Sequence, residues 1–177
     1  MRNLFIVLVT TLLVGLAQAQ TPAKAAAAGA KAPAGMKVES SLIQLMRGIF
    51  YPSSNVIFFA QSEDPAKVPP GKDAATATDP LQNAYGKWEA VENASLAIAD
   101  GANLLTLAGR KCANGRPVPI GNADWPKFVA EVRAAGLTAY KAAQAKDQDK
   151  ILDAAEVLTT ACSNCHDKYR EVADRCK

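Results

Sequence analysis

Little in this 177-residue chain favours β structure: aromatic residues make up 6% of it and β-branched runs are scarce. A β-sandwich needs many Val, Ile, Thr and aromatic positions, so the composition argues against one. Neither sign of charge dominates, with 20 Lys and Arg against 17 Asp and Glu and a net charge of +3. The basic stripe that marks a nucleic-acid-binding protein is missing. There is no internal repeat, no Gly-rich phosphate loop, and only one histidine. What the chain has in quantity is alanine, 35 residues of the strongest helix former. Hydrophobic residues make up 49%, enough for a core and against wholesale disorder. Length and composition together predict one all-α domain.

The first 19 residues read as a signal peptide rather than as part of the fold. Arg2 supplies the positive start, Leu4 to Leu16 the apolar stretch, and Ala17-Gln18-Ala19 the small-x-small cleavage site. That apolar stretch is 13 residues long, short of the ~20 needed to span a bilayer, with an uncleaved anchor as the alternative. No cysteine follows it, which speaks against a lipoprotein. Residues 20–37, rich in Ala, Pro, Gly and Lys, have no apolar face and read as a disordered tether. The domain proper is expected over 38–177, in the periplasm, with no stable membrane span after signal cleavage.

Four segments of helical period follow. Val38, Leu42, Leu45, Met46 and Ile49 share one face of a first helix that Pro52 should end near Tyr51. A second is expected from Asp79 as N-cap and Pro80 at its first position, through Leu81, Tyr85, Trp88, Val91, Ser95, Ile98, Ala102 and Leu105, to near Arg110. A third opens near Asp124 with Pro126 in its first turn, carries Trp125, Phe128, Val129, Val132, Gly136 and Tyr140, and fades by Lys146. A fourth starts at Asp147 or Asp149 and aligns Ile151, Ala155, Leu158, Cys162, Cys165, Tyr169 and Val172. Four such helices predict an antiparallel up-down-up-down four-helix bundle. The 52–79 connection is long for such a fold. Its apolar start, Val56 to Ala60, should be a buried strand or an extra helical turn.

Cys162-Ser163-Asn164-Cys165-His166 is C-x-x-C-H, the attachment signature of c-type haem. Thiols at i and i+3 of a helix face one way and can each form a thioether with a haem vinyl. The histidine at i+4 shares that face and can bind iron. Three other readings compete. A thioredoxin-like redox pair wants a βαβ setting and a helix N-terminus. A zinc site would have to gather Cys112, Cys162, Cys165 and His166. A plain Cys162–Cys165 disulfide is the third. The motif's place late in a helix of an exported chain favours one covalent haem c, near one end of the bundle.

On this motif, continued as Tyr169-Arg170, the chain resembles the cytochrome c prime family, the class II c-type cytochromes. The resemblance covers about residues 38–177 as architecture and 162–170 as motif. It implies an antiparallel four-helix bundle carrying haem near one end, and the possibility of a homodimer through the first two helices. In its six-coordinate members a first-helix methionine is the distal ligand, which points to Met46. Bundle geometry points the same way. His166 lies about nine residues before the last helix ends, roughly 13 Å, and Met46 about eight residues into the first, roughly 12 Å. The two are level, whereas Met36 is too low. The alternative for Met46 is an ordinary core methionine. The same levelling puts Ala102, Leu105, Phe128, Val129 and Val132 around the haem as an apolar wall. Tyr169 and Arg170 follow the histidine, and Arg170 could meet a haem propionate. The Val56–Phe59 run could fold over the haem edge.

Cys112 and Cys176 end the second and fourth helices, at one pole of such a bundle. In an exported protein they could pair, worth roughly 3–4 kcal/mol, or stay as thiols. With the only histidine used on iron, no nucleophile–His–acid set remains, which argues against a hydrolase. The expected function is single-electron transfer between redox partner proteins, with iron ligated by His166 and Met46 and no bond-making catalysis. Two alternatives are a five-coordinate protein that binds or senses NO or CO, and a subunit of a larger redox complex.

Overall fold

The computed structural model describes residues 37–170 and residue 176. The expected signal peptide, nearly all of the tether and Val172 lie outside the described residues. Among these residues there are helices and turns, one isolated bridge between Lys111 and Pro117, and no strand. The domain is all-α. No described helix is long and apolar enough to cross a membrane.

The first helical run does not stop at Pro52. It comprises α1 (Leu42–Leu45), a π-helical turn (Met46–Phe50) and α2 (Tyr51–Ser62). Ser41 opens it with a capping box, its hydroxyl accepting from the Gln44 N–H while the Gln44 side chain accepts from the Ser41 N–H. Proline breaks a helix because it lacks an N–H and crowds the carbonyl four residues back. Here the Tyr51 N–H bonds to the Met46 carbonyl, five residues back, and Pro52 falls in the first turn of α2. The wider turn shifts the hydrogen-bond register so that no donor is required at position 52. The apolar run after it is therefore helical. Val56, Ile57 and Ala60 are buried, Phe58 is half-buried and Phe59 is exposed.

The second long helix, α3 (Lys87–Gly101), starts seven residues later than Asp79 as N-cap predicts. Asp79 instead folds a local turn, its carboxylate accepting from the Leu81 N–H at 2.9 Å. Asn83 does the same for Tyr85 at 2.8 Å. These side-chain bonds compete with helix and divert the chain. Tyr85, expected on the apolar stripe, is exposed, while Leu81 is buried from within the loop. Gly86 is the N-cap, where a Cβ would run into the Leu81 and Asn83 carbonyls. After Gly101 the helix tightens into a 3-10 stretch, Ala102–Thr106, and the chain leaves helix before Arg110.

The last two helices match their sequence signals. α4 (Trp125–Gln144) has Pro126 in its first turn. α5 (Gln148–Tyr169) is capped by Asp147, whose carboxylate accepts from the Lys150 N–H at 3.0 Å. Each long helix packs on the next, and α5 packs back on α2. Bonds between helices set the registers. The Trp125 indole donates to the Leu105 carbonyl at 3.0 Å, and Arg133 donates to the Ala99 carbonyl at 3.4 Å. Position 136 meets positions 95 and 99, so α3 and α4 run antiparallel. Asn164 donates to Glu131 and Tyr169 to Asp124, so α4 and α5 do too. The centre is filled by Ile57, Val91, Ile98, Ile151 and Leu158, each less than 2% exposed. Cys112 and Cys176 stand at disulfide distance, with Cα atoms 5.8 Å apart.

Gly136 marks the closest approach of two helices. A Cβ there would lie 2.8 Å from the Ala99 backbone nitrogen and 2.9 Å from the Ser95 carbonyl oxygen. Neither backbone atom can yield without moving α3. Gly136→Ala should therefore destabilise the protein by about 1–3 kcal/mol, read from urea denaturation. An unchanged or raised midpoint would contradict this packing.

Candidate haem-binding site

The face of α5 that carries the motif is decided well before the motif is reached. Ile151, Ala154, Ala155, Leu158 and Ala161 are all buried at helical spacing. That stripe continues through Cys162 and Cys165, both half-buried and packed against the core, to the buried Tyr169. α5 stays helical through all five motif residues, so both thiols and half-buried His166 lie within one turn.

The two thiols are free and not bonded to each other. Burial pushes the Cys165 thiol up to about 11, with further upward pushes from Cys162, Asp124 and Glu131. Burial also raises Cys162, partly offset by the positive charge of Arg170. Redox C-x-x-C pairs work through a thiol whose pKa is lowered to favour the thiolate, so these cysteines lack that character. Cys112 is committed to Cys176, and no group of three metal-ligating side chains forms among the described residues. The four-ligand set of the zinc reading is thus not gathered. Two free thiols one turn apart with a histidine beside them are the donor set that a covalent haem would use.

The residues expected to wall the haem all pack into or against the core. Leu105, Val132 and Ala102 are buried, and Phe128, Val129 and Met46 are half-buried against the core. Cross-helix contacts bracket their levels. Gly101 faces Ile49 and Phe50, while the Lys111 carbonyl accepts from the Leu42 N–H at 2.8 Å. Met46 and Leu105 lie between those two contacts. On the far side, Leu105 meets Trp125, and the bonds of Asn164 and Tyr169 to α4 bracket His166. Met46 and His166 therefore belong to the same end of the domain.

The Val56–Phe59 run belongs elsewhere, contrary to the expectation that it folds over the haem edge. The Ala60 carbonyl accepts from the Gln148 side chain at the start of α5. That is 18 residues before His166, or about 27 Å along the helix. Because α2 continues past Pro52, it carries these residues to the opposite end.

Three side chains at this end carry roles that sequence reasoning missed. Asp124 precedes α4 but does not cap it. Its carboxylate accepts from the Tyr169 hydroxyl at 2.7 Å and pairs with Lys168, tying the end of α5 to the start of α4. Tyr169, expected near the cofactor, also accepts from Asn122 at 3.1 Å and stands edge-on to Trp125, with ring centres 5.0 Å apart. The third is Arg110, which is 5% exposed and hydrogen-bonded to Ser40 and to the Leu104 carbonyl. Arg170, by contrast, is exposed. No sequence pattern links positions 45 residues apart, so these contacts had no local signal.

Lys168 and Tyr169 hold the Asp124 carboxyl below its ordinary pKa. A lowered native pKa adds stability above the unfolded value, near 4, and loses it as pH falls through the native one. Asp124→Asn should therefore lose less stability between pH 6 and pH 3 than the wild type, measured by urea midpoints. Parallel losses would show that the carboxylate does not clamp the two helices. In comparisons with family models, curated proteins and solved structures, nothing matches this chain.

Proposed function

We propose that this chain is an exported, periplasmic c-type cytochrome that passes single electrons between redox partner proteins. The observation that carries this reading is the motif in place. Cys162, Cys165 and His166 occupy one turn of an intact helix, both thiols free and half-buried against the core. The pairwise packing of the helices supports an antiparallel four-helix bundle with the cofactor near the end where α5 finishes.

A bound haem would supply the one-electron couple. The protein's residues hold and tune it. Cys162 and Cys165 anchor it covalently, and His166 offers its imidazole to iron from the same face. Leu105, Val132 and Phe128 supply low-dielectric walls, which disfavour the extra charge of the oxidised state and so raise the potential. Met46 would hold the iron together with His166. Its level supports this, and so does its position at the first residue of the π-helical turn, a device common at functional sites. A thioether ligand would raise the potential further and close the iron to gases. No side chain is assigned to bond-making catalysis.

The purified mature protein should give a low-spin optical and EPR spectrum that carbon monoxide does not change. Met46→Ala should convert it to a high-spin form that binds carbon monoxide. A wild type that is already high-spin and takes up the gas would remove Met46 from the iron and favour the NO- or CO-binding reading.

A further inference from the structure

Arg110 is a buried cation with an incomplete set of partners. It sits where the chain leaves the 3-10 stretch. Its Nη1 donates to the Ser40 carbonyl and to the Ser40 hydroxyl, both at 2.6 Å. Its Nη2 donates to the Leu104 carbonyl at 3.3 Å. Its Nε is buried and has no hydrogen-bond partner. All three acceptors are neutral, and no carboxylate among the described residues pairs with the guanidinium. A buried charge left without a counter-ion is strongly unfavourable, and arginine cannot escape by losing its proton. Neutral dipoles hold the group in place without neutralising it.

Its place limits what the missing anion can be. Leu104 adjoins Leu105 of the apolar wall, and Ser40 lies six residues before Met46. Arg110 therefore borders the end of the domain where the motif lies. A haem is apolar except for its two propionates, and a carboxylate is the group that the planar fork of arginine binds best. We propose that Arg110 is the propionate-binding residue of this site, its unpartnered Nε–H edge completed by a haem carboxylate. This rests on the haem reading. It assigns the buried contact to Arg110 and leaves the exposed Arg170 at the solvent side. Ser40 and the Leu104 carbonyl act as positioning groups that fix the plane of the fork.

The test is the reduction potential of the holoprotein as a function of pH, for wild type, Arg110→Gln and Arg110→Lys. An arginine on a propionate keeps that carboxylate ionised and offsets its negative charge. Arg110→Gln should lower the potential and add a pH-dependent step as the released propionate titrates. Arg110→Lys keeps the charge without the fork and should fall between the two. If Arg110→Gln does not fold, the lysine variant carries the test, with the same shift in smaller measure. Potentials and pH profiles that match wild type, with haem attached, would overturn the proposal. That result would leave Arg110 as a structural tie between Ser40 and the Leu104 carbonyl. Wild-type protein without covalent haem is a different failure, because it removes the haem reading itself.

Discussion

The rotation of α5 about its own axis is the constraint on which the candidate site depends. A helix can hold Cys162 and Cys165 against the core, with His166 beside them, only if something stops it from turning. The stop is the buried stripe from Ile151 through Ala155 and Leu158 to Ala161, reinforced at the far end by Tyr169 on Asp124 and Trp125. Small residues make it work. Ala135, Ala139 and Ala143 on α4 and Ala154 and Ala155 on α5 are all at most 1% exposed. Alanine gives little transfer energy of its own, but it lets helix backbones approach closely. The alanine richness of the sequence is thus both helix propensity and packing geometry.

That stripe explains why the motif end of the chain was the most legible part of the sequence. Apolar residues at three- and four-residue spacing, the Asp147 cap and Pro126 in the first turn are local signals, and α4 and α5 obey them. Cys112 and Cys176 were expected at two helix ends; both instead lie beyond the helices, which end at Thr106 and Tyr169, yet they stand at disulfide distance. The misreadings came where a local signal met a competing one. Pro52 reads as a stop, but a π-helical turn supplies a register in which its missing N–H is not needed. Asp79-Pro80 reads as a helix start, but the side chains of Asp79 and Asn83 bond their own turns first.

The roles of Arg110 and Asp124 were illegible for a different reason. Each depends on contacts across 40 or more residues, from Arg110 to Ser40 and from Asp124 to Tyr169. Nothing in the neighbouring sequence distinguishes them from solvated charges. They mark the two flanks of the candidate site, one fixing the histidine-bearing helix and the other placing a cation beside the apolar wall. A site that holds a large apolar group with two acidic tails needs both a rigid attachment and a place for charge.

The most direct test of this account is the intact mass and the alkaline pyridine spectrum of the protein purified from the periplasm of a host that matures c-type cytochromes. The account predicts a mass increased by one haem, a c-type reduced spectrum, and no free thiol at Cys162 or Cys165. A chain that leaves the same host folded, without haem and with both thiols free, would contradict it.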